Sequence, residues 1–137
     1  MGNFEVTKDW LESLKRPVTE QEQQARPVPF LLANSLSFKD RPKLNPSDLL
    51  IEYKWDGIRS QLIKTADLIR LWSRGDQDIT EQFPDITSQA KTLPSGIILD
   101  GEILIEFDGQ LGSFKDLQTR LNRKRITRSL LGSHPAI

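Results

Sequence analysis

From residue 49 onward the chain reads as short apolar runs broken by turn residues. The run 49–53 is β-like, 58–64 and 68–72 read as two further strands, and Thr65, Ala66 and Asp67 form the expected turn between them. This pattern predicts an antiparallel meander. Pro84 fits the first turn of a helix running to about Leu93, where Pro94, Ser95 and Gly96 end it. Residues 97–107 read as one strand closed by the turn pair Asp108 and Gly109. Ser113 with Asp116 three positions on resembles a capping box, and Phe114, Leu117 and Leu121 follow at helical spacing. A last short helix is expected over 125–131, ending at Gly132. The order of elements predicts an α+β fold, a mixed, mostly antiparallel sheet with flanking helices.

The first 48 residues differ in texture. Residues 7–16 could make one short helix with Trp10, Leu11 and Leu14 on a single face, and Thr19 with Glu22 reads as a capping box opening a very polar turn. Pro17, Pro27, Pro29, Pro42 and Pro46 then interrupt regular structure repeatedly. Residues 1–26 are expected to be a linker or the remnant of an upstream domain, and 27–137 the folded unit.

Composition narrows the function classes. With 19 basic and 19 acidic residues in 137, the formal charge is zero, so nucleic acid cannot be held by bulk charge, and any polyanion contact must come from a local patch. At 36% hydrophobic and 28% charged the chain can build a core. The absence of cysteine removes disulfides, thiolate metal sites and a cysteine nucleophile together. The N-terminus lacks a basic and apolar leader, Val6 stands where an N-myristoylation signal wants Ser or Thr, and no apolar run approaches the roughly 18 residues of a membrane span. A cytoplasmic location, with no membrane contact, is the expectation.

The most informative stretch is Glu52, Tyr53, Lys54, Trp55, Asp56, Gly57, Ile58 and Arg59, which places a lysine at the end of an expected strand before a carboxylate, a turn-permitting glycine and an arginine. An amine that attacks phosphorus must be unprotonated, and a neighbouring cation such as Arg59 both favours that state and neutralises phosphate. Asp56 could orient the lysine, and Gly57 lets the backbone pass close to a ligand. Taken alone, the same residues read first as a surface hairpin with a solvated Lys-Asp-Arg cluster. Further along, Leu71, Trp72, Ser73, Arg74 and Gly75 set an arginine at the end of the next strand, and Ile98, Leu99, Asp100, Gly101, Glu102 and Ile103 place an acidic turn in an apolar strand.

In this order the three stretches resemble motifs I, Ia and III of the covalent nucleotidyltransferases, the superfamily of ATP-dependent DNA ligases, RNA ligases and capping enzymes. The stretches Pro29-Phe30-Leu31-Leu32-Ala33 and Phe83-Pro84-Asp85, with Leu117-Gln118 and Arg120-Leu121-Asn122-Arg123-Lys124, look like bacterial ATP-dependent DNA ligases. The resemblance covers residues 27–137 and implies the N-terminal part of the adenylation domain, a partial nucleotidyltransferase (ATP-grasp-like) fold. It implies that Lys54 attacks the α-phosphorus of ATP, releases pyrophosphate and carries AMP to the 5′-phosphate of nicked double-stranded DNA, where the 3′-OH displaces it, in repair, recombination or replication. By the same resemblance Glu52 lies near adenine, Arg59 and Arg74 contact the ribose and phosphates, Glu102 reaches the ribose or the metal, Asp56 and Gly57 shape the turn, and the metal is Mg²⁺.

Alternatives stay open at this level. Glu102 could face solvent on an amphipathic strand, Arg74 could belong to a surface ion pair, and Trp55 and Trp72 could serve packing or ligand. Between 120 and 128 the chain holds Arg120, Arg123, Lys124, Arg125 and Arg128 with no acid, which reads either as a phosphate-backbone contact or as a solvated helix face. His134, close to the end of the chain, is assigned no chemistry. The resemblance also implies an adenine-stacking aromatic, a motif IV glutamate, motif V lysines and an OB-fold domain for which this sequence has no counterpart. Those are expected on a separate C-terminal partner chain or to be missing, in which case the chain is a non-catalytic remnant or a nucleic-acid-binding fragment, and RNA ligase or capping chemistry is the alternative within the enzyme class. A sheet cut at an interior strand would leave an open edge and exposed apolar surface, favouring marginal stability or association.

Overall fold

The computed structural model describes residues 17–33, 35–123 and 125–137; the helix expected over 7–16 and the side chain of Lys124 lie outside the described residues. Five strands and four α-helices are described. Strand β1 (Ile58–Lys64) lies between β2 (Ile69–Ser73) and β3 (Ile97–Ile103), antiparallel to both, and β4 (Glu106–Phe107) pairs with β5 (Gln110–Leu111) in a small separate ribbon. Around these run α1 (Glu20–Gln24), α2 (Pro84–Gln89), α3 (Phe114–Leu121) and α4 (Arg128–Ser133). The α+β architecture and its antiparallel ladders are those expected.

Local chemistry explains most of the boundaries. Glu22 N–H donates to Thr19 Oγ1 at 3.2 Å and Thr19 N–H donates to the Glu22 carboxylate at 2.9 Å, closing the capping box at α1. The β1–β2 turn is tied by Thr65 N–H to Leu68 O at 2.9 Å and Leu68 N–H to Thr65 Oγ1 at 3.0 Å. At α3 the Asp116 carboxylate accepts from the Ser113 N–H and hydroxyl, at 2.8 and 2.7 Å. Asp108 and Gly109 both take positive φ, at 48° and 79°, which is the backbone a tight hairpin between β4 and β5 needs.

Three expectations are corrected. Residues 49–53 form no strand: they pair with none of the three strands of the sheet, and an apolar run without a ladder stays irregular. The stretch 97–107 is two strands: at Leu104 the backbone turns to the C-terminal segment, exchanging N–H···O bonds with Ile137 at 3.0 Å in both directions. The last helix begins at Arg128, after Thr127 caps it by accepting from Leu130 N–H, and it includes Gly132.

One face of the sheet meets the helices. Leu62 pairs across β1 and β2 with Leu71, and with Ile79, Phe83, Ala90, Ile103, Ile105, Leu117 and Ala136 they form the buried core. Full burial of a side chain of this size contributes about 1.5–3 kcal/mol. Because side chains alternate across the pleat, Arg59, Gln61 and Ile63 point to the other face, together with their cross-strand partners Glu102, Asp100 and Ile98 in β3 and Trp72 in β2. The polar face is where the candidate chemistry sits.

Candidate functional site

Gly57 begins the site, just before β1. Its N–H donates to Glu102 Oε1 at 3.2 Å, and a Cβ there would overlap the Ile103 carbonyl oxygen and lie 2.8 Å from Glu102 Cγ and Leu104 Cδ2. Only glycine allows the chain to cross β3 this closely. The glycine therefore does more than permit a turn: it brings the start of β1 against the acidic residue of the third motif.

Two residues on, Arg59 stands opposite Glu102 in the ladder, yet its Nε reaches diagonally to Asp100 Oδ1 at 2.6 Å. Diagonal neighbours on one face of an antiparallel pair lie within reach of a side chain as long as arginine. Both groups are about one-third exposed, so the ion pair is solvent-screened and orients more than it stabilises. Arg59 also holds the second motif: its carbonyl accepts from the Arg74 N–H at 2.9 Å. Asp100 is a residue to which the resemblance gives no role of its own: it sits in the acidic turn of the third motif, two positions from Glu102 on one strand face. Gln61, two from Arg59, is another. It is buried, and its amide bridges Val28 N–H at 2.9 Å and Asp100 Oδ2 at 3.4 Å.

The structure thus brings together Gly57, Arg59, the Arg74 backbone, Asp100 and Glu102. It leaves Glu52, Lys54 and Asp56 exposed on irregular backbone, so the lysine is not at the end of a strand as expected, for the same lack of a pairing partner that leaves 49–53 unpaired. The rings of Tyr53 and Trp55 flank it with centroids 5.4 Å apart. Trp72 serves packing: its indole N–H donates to Ala25 O at 2.7 Å, and the Arg26 guanidinium lies 5.4 Å from its ring centre.

The basic run divides. Arg123, Arg125 and Arg128 are exposed and open to a polyanion. Arg120 is not, which corrects its expected place at a nucleic-acid surface: it is wholly buried, with Nη1 on Asp85 Oδ2 at 2.6 Å, Nη2 on Asp85 Oδ1 at 2.8 Å, and further bonds to Gln82 O and His134 O. It shares the inward face of α3 with Leu117, three residues earlier. His134 is half-buried, edge-on to Phe107 at 5.7 Å, and takes part through its carbonyl.

Chemically, the polar face offers guanidinium donors for phosphate oxygens and carboxylates for ribose hydroxyls or a hard cation. Among the described residues no group of three acidic or histidine side chains forms a metal cage. Two open depressions of about 420 and 410 Å³ flank the β1–β2 turn, lined by Lys64, Thr65 and Ala66. They lie beyond the far end of β1 from Gly57, roughly 20 Å along the strand, and belong to a different part of the surface. No helix among the described residues is long and apolar enough to cross a membrane.

Known proteins resemble this chain over most of its length. A family model described as ATP dependent DNA ligase domain matches residues 30–135. A probable DNA ligase of Koribacter versatilis is 36% identical over 104 residues, covering 76% of this chain and 18% of that protein. A probable DNA ligase of Opitutus terrae is 49% identical over 74 residues, 54% of this chain and 7% of that protein, and a DNA ligase of Sulfophobococcus zilligii is 34% identical over 125 residues, 84% and 19%. The chain spans less than about a fifth of the length of these relatives.

Proposed function

The chain belongs to the ATP dependent DNA ligase domain family, and from that premise we propose that it supplies the nucleotide-reacting lysine of a DNA ligase. The Lys54 amine attacks the α-phosphorus of ATP, pyrophosphate leaves, the amine gives up a proton, and AMP is held as a phosphoramidate. In the whole ligase, AMP then passes to the 5′-phosphate of nicked double-stranded DNA, and the 3′-OH displaces it to form the phosphodiester. Cytosolic residence suits a cysteine-free chain.

The observation that carries this reading is the junction of the motifs on one sheet face: Gly57 N–H on Glu102, Arg74 N–H on the Arg59 carbonyl, and the Arg59–Asp100 pair. In it, Arg59 and Arg74 receive the phosphates and Glu102 the ribose, while Glu52 and Asp56 act beside the base and the lysine. Mg²⁺ is usually held by one or two carboxylates plus substrate phosphates, and Glu102 fits that donor set without a protein cage. The ion would draw charge off the triphosphate as pyrophosphate leaves.

Incubation of the full chain with α-labelled ATP and Mg²⁺ tests the proposal. Covalent label is expected on the wild type and absent from Lys54→Ala, with unfolding unchanged because Lys54 is exposed. Absence of label on a folded wild-type sample would overturn self-adenylation by this chain.

A further inference from the structure

Residues 25–28 lie over the polar face of the sheet. Ala25 is buried there with its carbonyl on the Trp72 indole, and Gln21, one turn before, donates from Nε2 to Asp67 Oδ2 at 2.9 Å. The innermost contact of this segment is Val28 N–H on Gln61 Oε1 at 2.9 Å.

Gln61 is 1% exposed, and both ends of its amide are used: Oε1 accepts from Val28 and Nε2 donates to Asp100 Oδ2, while Asp100 Oδ1 holds Arg59 Nε at 2.6 Å. The amide has only one workable orientation. Flipped, it would face its NH₂ group to the Val28 N–H and its carbonyl oxygen to a carboxylate, so both contacts would become repulsive. The polarity of the Val28 backbone therefore fixes which end of Gln61 meets Asp100, and that in turn fixes the carboxylate that aims Arg59. A hydrophobic residue of the same size could fill the space but could not pass on this direction.

We propose that Gln61 is a positioning residue for Arg59, and that the docking of residues 25–28 sets the direction of the Arg59 guanidinium through Gln61 and Asp100. Its consequence for nucleotide binding rests on the function proposed above; its structural content does not.

The test follows the Arg59 Nε–H resonance in the full chain by ¹⁵N NMR, assigned as the signal missing from Arg59→Lys. Asp100→Asn should shift it upfield and speed its exchange. Two variants interrupt the relay upstream: Gln61→Leu, and Val28→Pro, which deletes the N–H donor at a half-exposed position already flanked by prolines. Both are expected to speed exchange of the Arg59 Nε–H about tenfold, and Val28→Pro does so without touching the core even if Gln61→Leu folds poorly. An unchanged Arg59 resonance in folded Val28→Pro would overturn the proposal. In the labelling assay, Val28→Pro should raise the ATP concentration for half-maximal labelling about tenfold with little change in the maximal rate. A wild type that takes no label would count against the ligase reading and leave the resonance experiment standing.

Discussion

Arg120 and Asp85 meet fork to fork, 35 residues apart in sequence, with the arginine wholly buried and the carboxylate also accepting the Ala136 N–H at 2.9 Å. The guanidinium lies 4.7 Å from the Phe83 ring centre, over the core. One ion pair therefore joins α2, α3 and the C-terminal segment, and its loss leaves charge in an apolar setting.

Arg120→Ala should destabilise the fold by about 3–5 kcal/mol, the cost of leaving one partner of a buried pair. Arg120→Lys should recover little, because an ammonium cannot make the paired bonds to Asp85 and Gln82 O together. Chemical unfolding followed by circular dichroism measures both. A loss below about 1 kcal/mol for Arg120→Ala would contradict the buried geometry.

The same pair sets a pH dependence. Burial alone raises the Asp85 carboxyl, but hydrogen bonds from Arg120, the Ala136 N–H and the charge of Arg120 outweigh it and hold Asp85 below its ordinary value of 3.8. With the folded value depressed, the stabilisation is complete above pH 3.8 and drains away as pH falls through the lower folded value. Asp116 is likewise held below its ordinary value, by hydrogen bonds from the Ser113 hydroxyl and N–H. Subtracting the stability curve of Asp85→Asn from that of the wild type isolates the Asp85 part: the difference should be flat above about pH 4 and shrink below it.

Gly57→Ala should move the start of β1 away from β3, because the added Cβ meets a backbone carbonyl that cannot give way. We expect a cost of about 1–3 kcal/mol, as for an overpacked site, and loss of the Gly57 N–H to Glu102 bond, read as faster exchange of that amide. Gly101→Ala is the control, since a Cβ there meets nothing within 4 Å; an equal effect at both positions would remove the close approach as the cause.

If Arg123, Arg125 and Arg128 meet phosphates, replacing all three by glutamine weakens binding to nicked DNA equally across sequences. The slope of log affinity against log salt should fall by about 0.9 for each phosphate that is no longer neutralised. An unchanged slope would show that these side chains are a solvated face.

Some of this is visible in the residues themselves. The capping boxes at Thr19 and Ser113, the turn at Thr65 and the hairpin at Asp108 and Gly109 rest on bonds within a few residues, so local spacing suffices to find them. The order of Lys54, Arg74 and Glu102 is legible for a related reason: a motif is linear text. Where the text misleads, the deciding contact is remote. The run 120–128 looks uniformly basic, but which of its members faces inward depends on Asp85 and His134, and the spacing of three from Leu117 is the one local hint.

The α+β class, the turns at Thr65 and Asp108, the caps at Thr19 and Ser113, the family to which the chain belongs and the motif residues Lys54, Arg74 and Glu102 follow from the order of amino acids. Folding in three dimensions was needed to bury Arg120 in the core, to leave residues 49–53 unpaired, and to stand Gln61 and Asp100 behind Arg59. The reason is physical: caps and turns are settled by groups a few bonds away, whereas a ladder, a buried ion pair or a relay exists only once strands from distant parts of the chain have come into register.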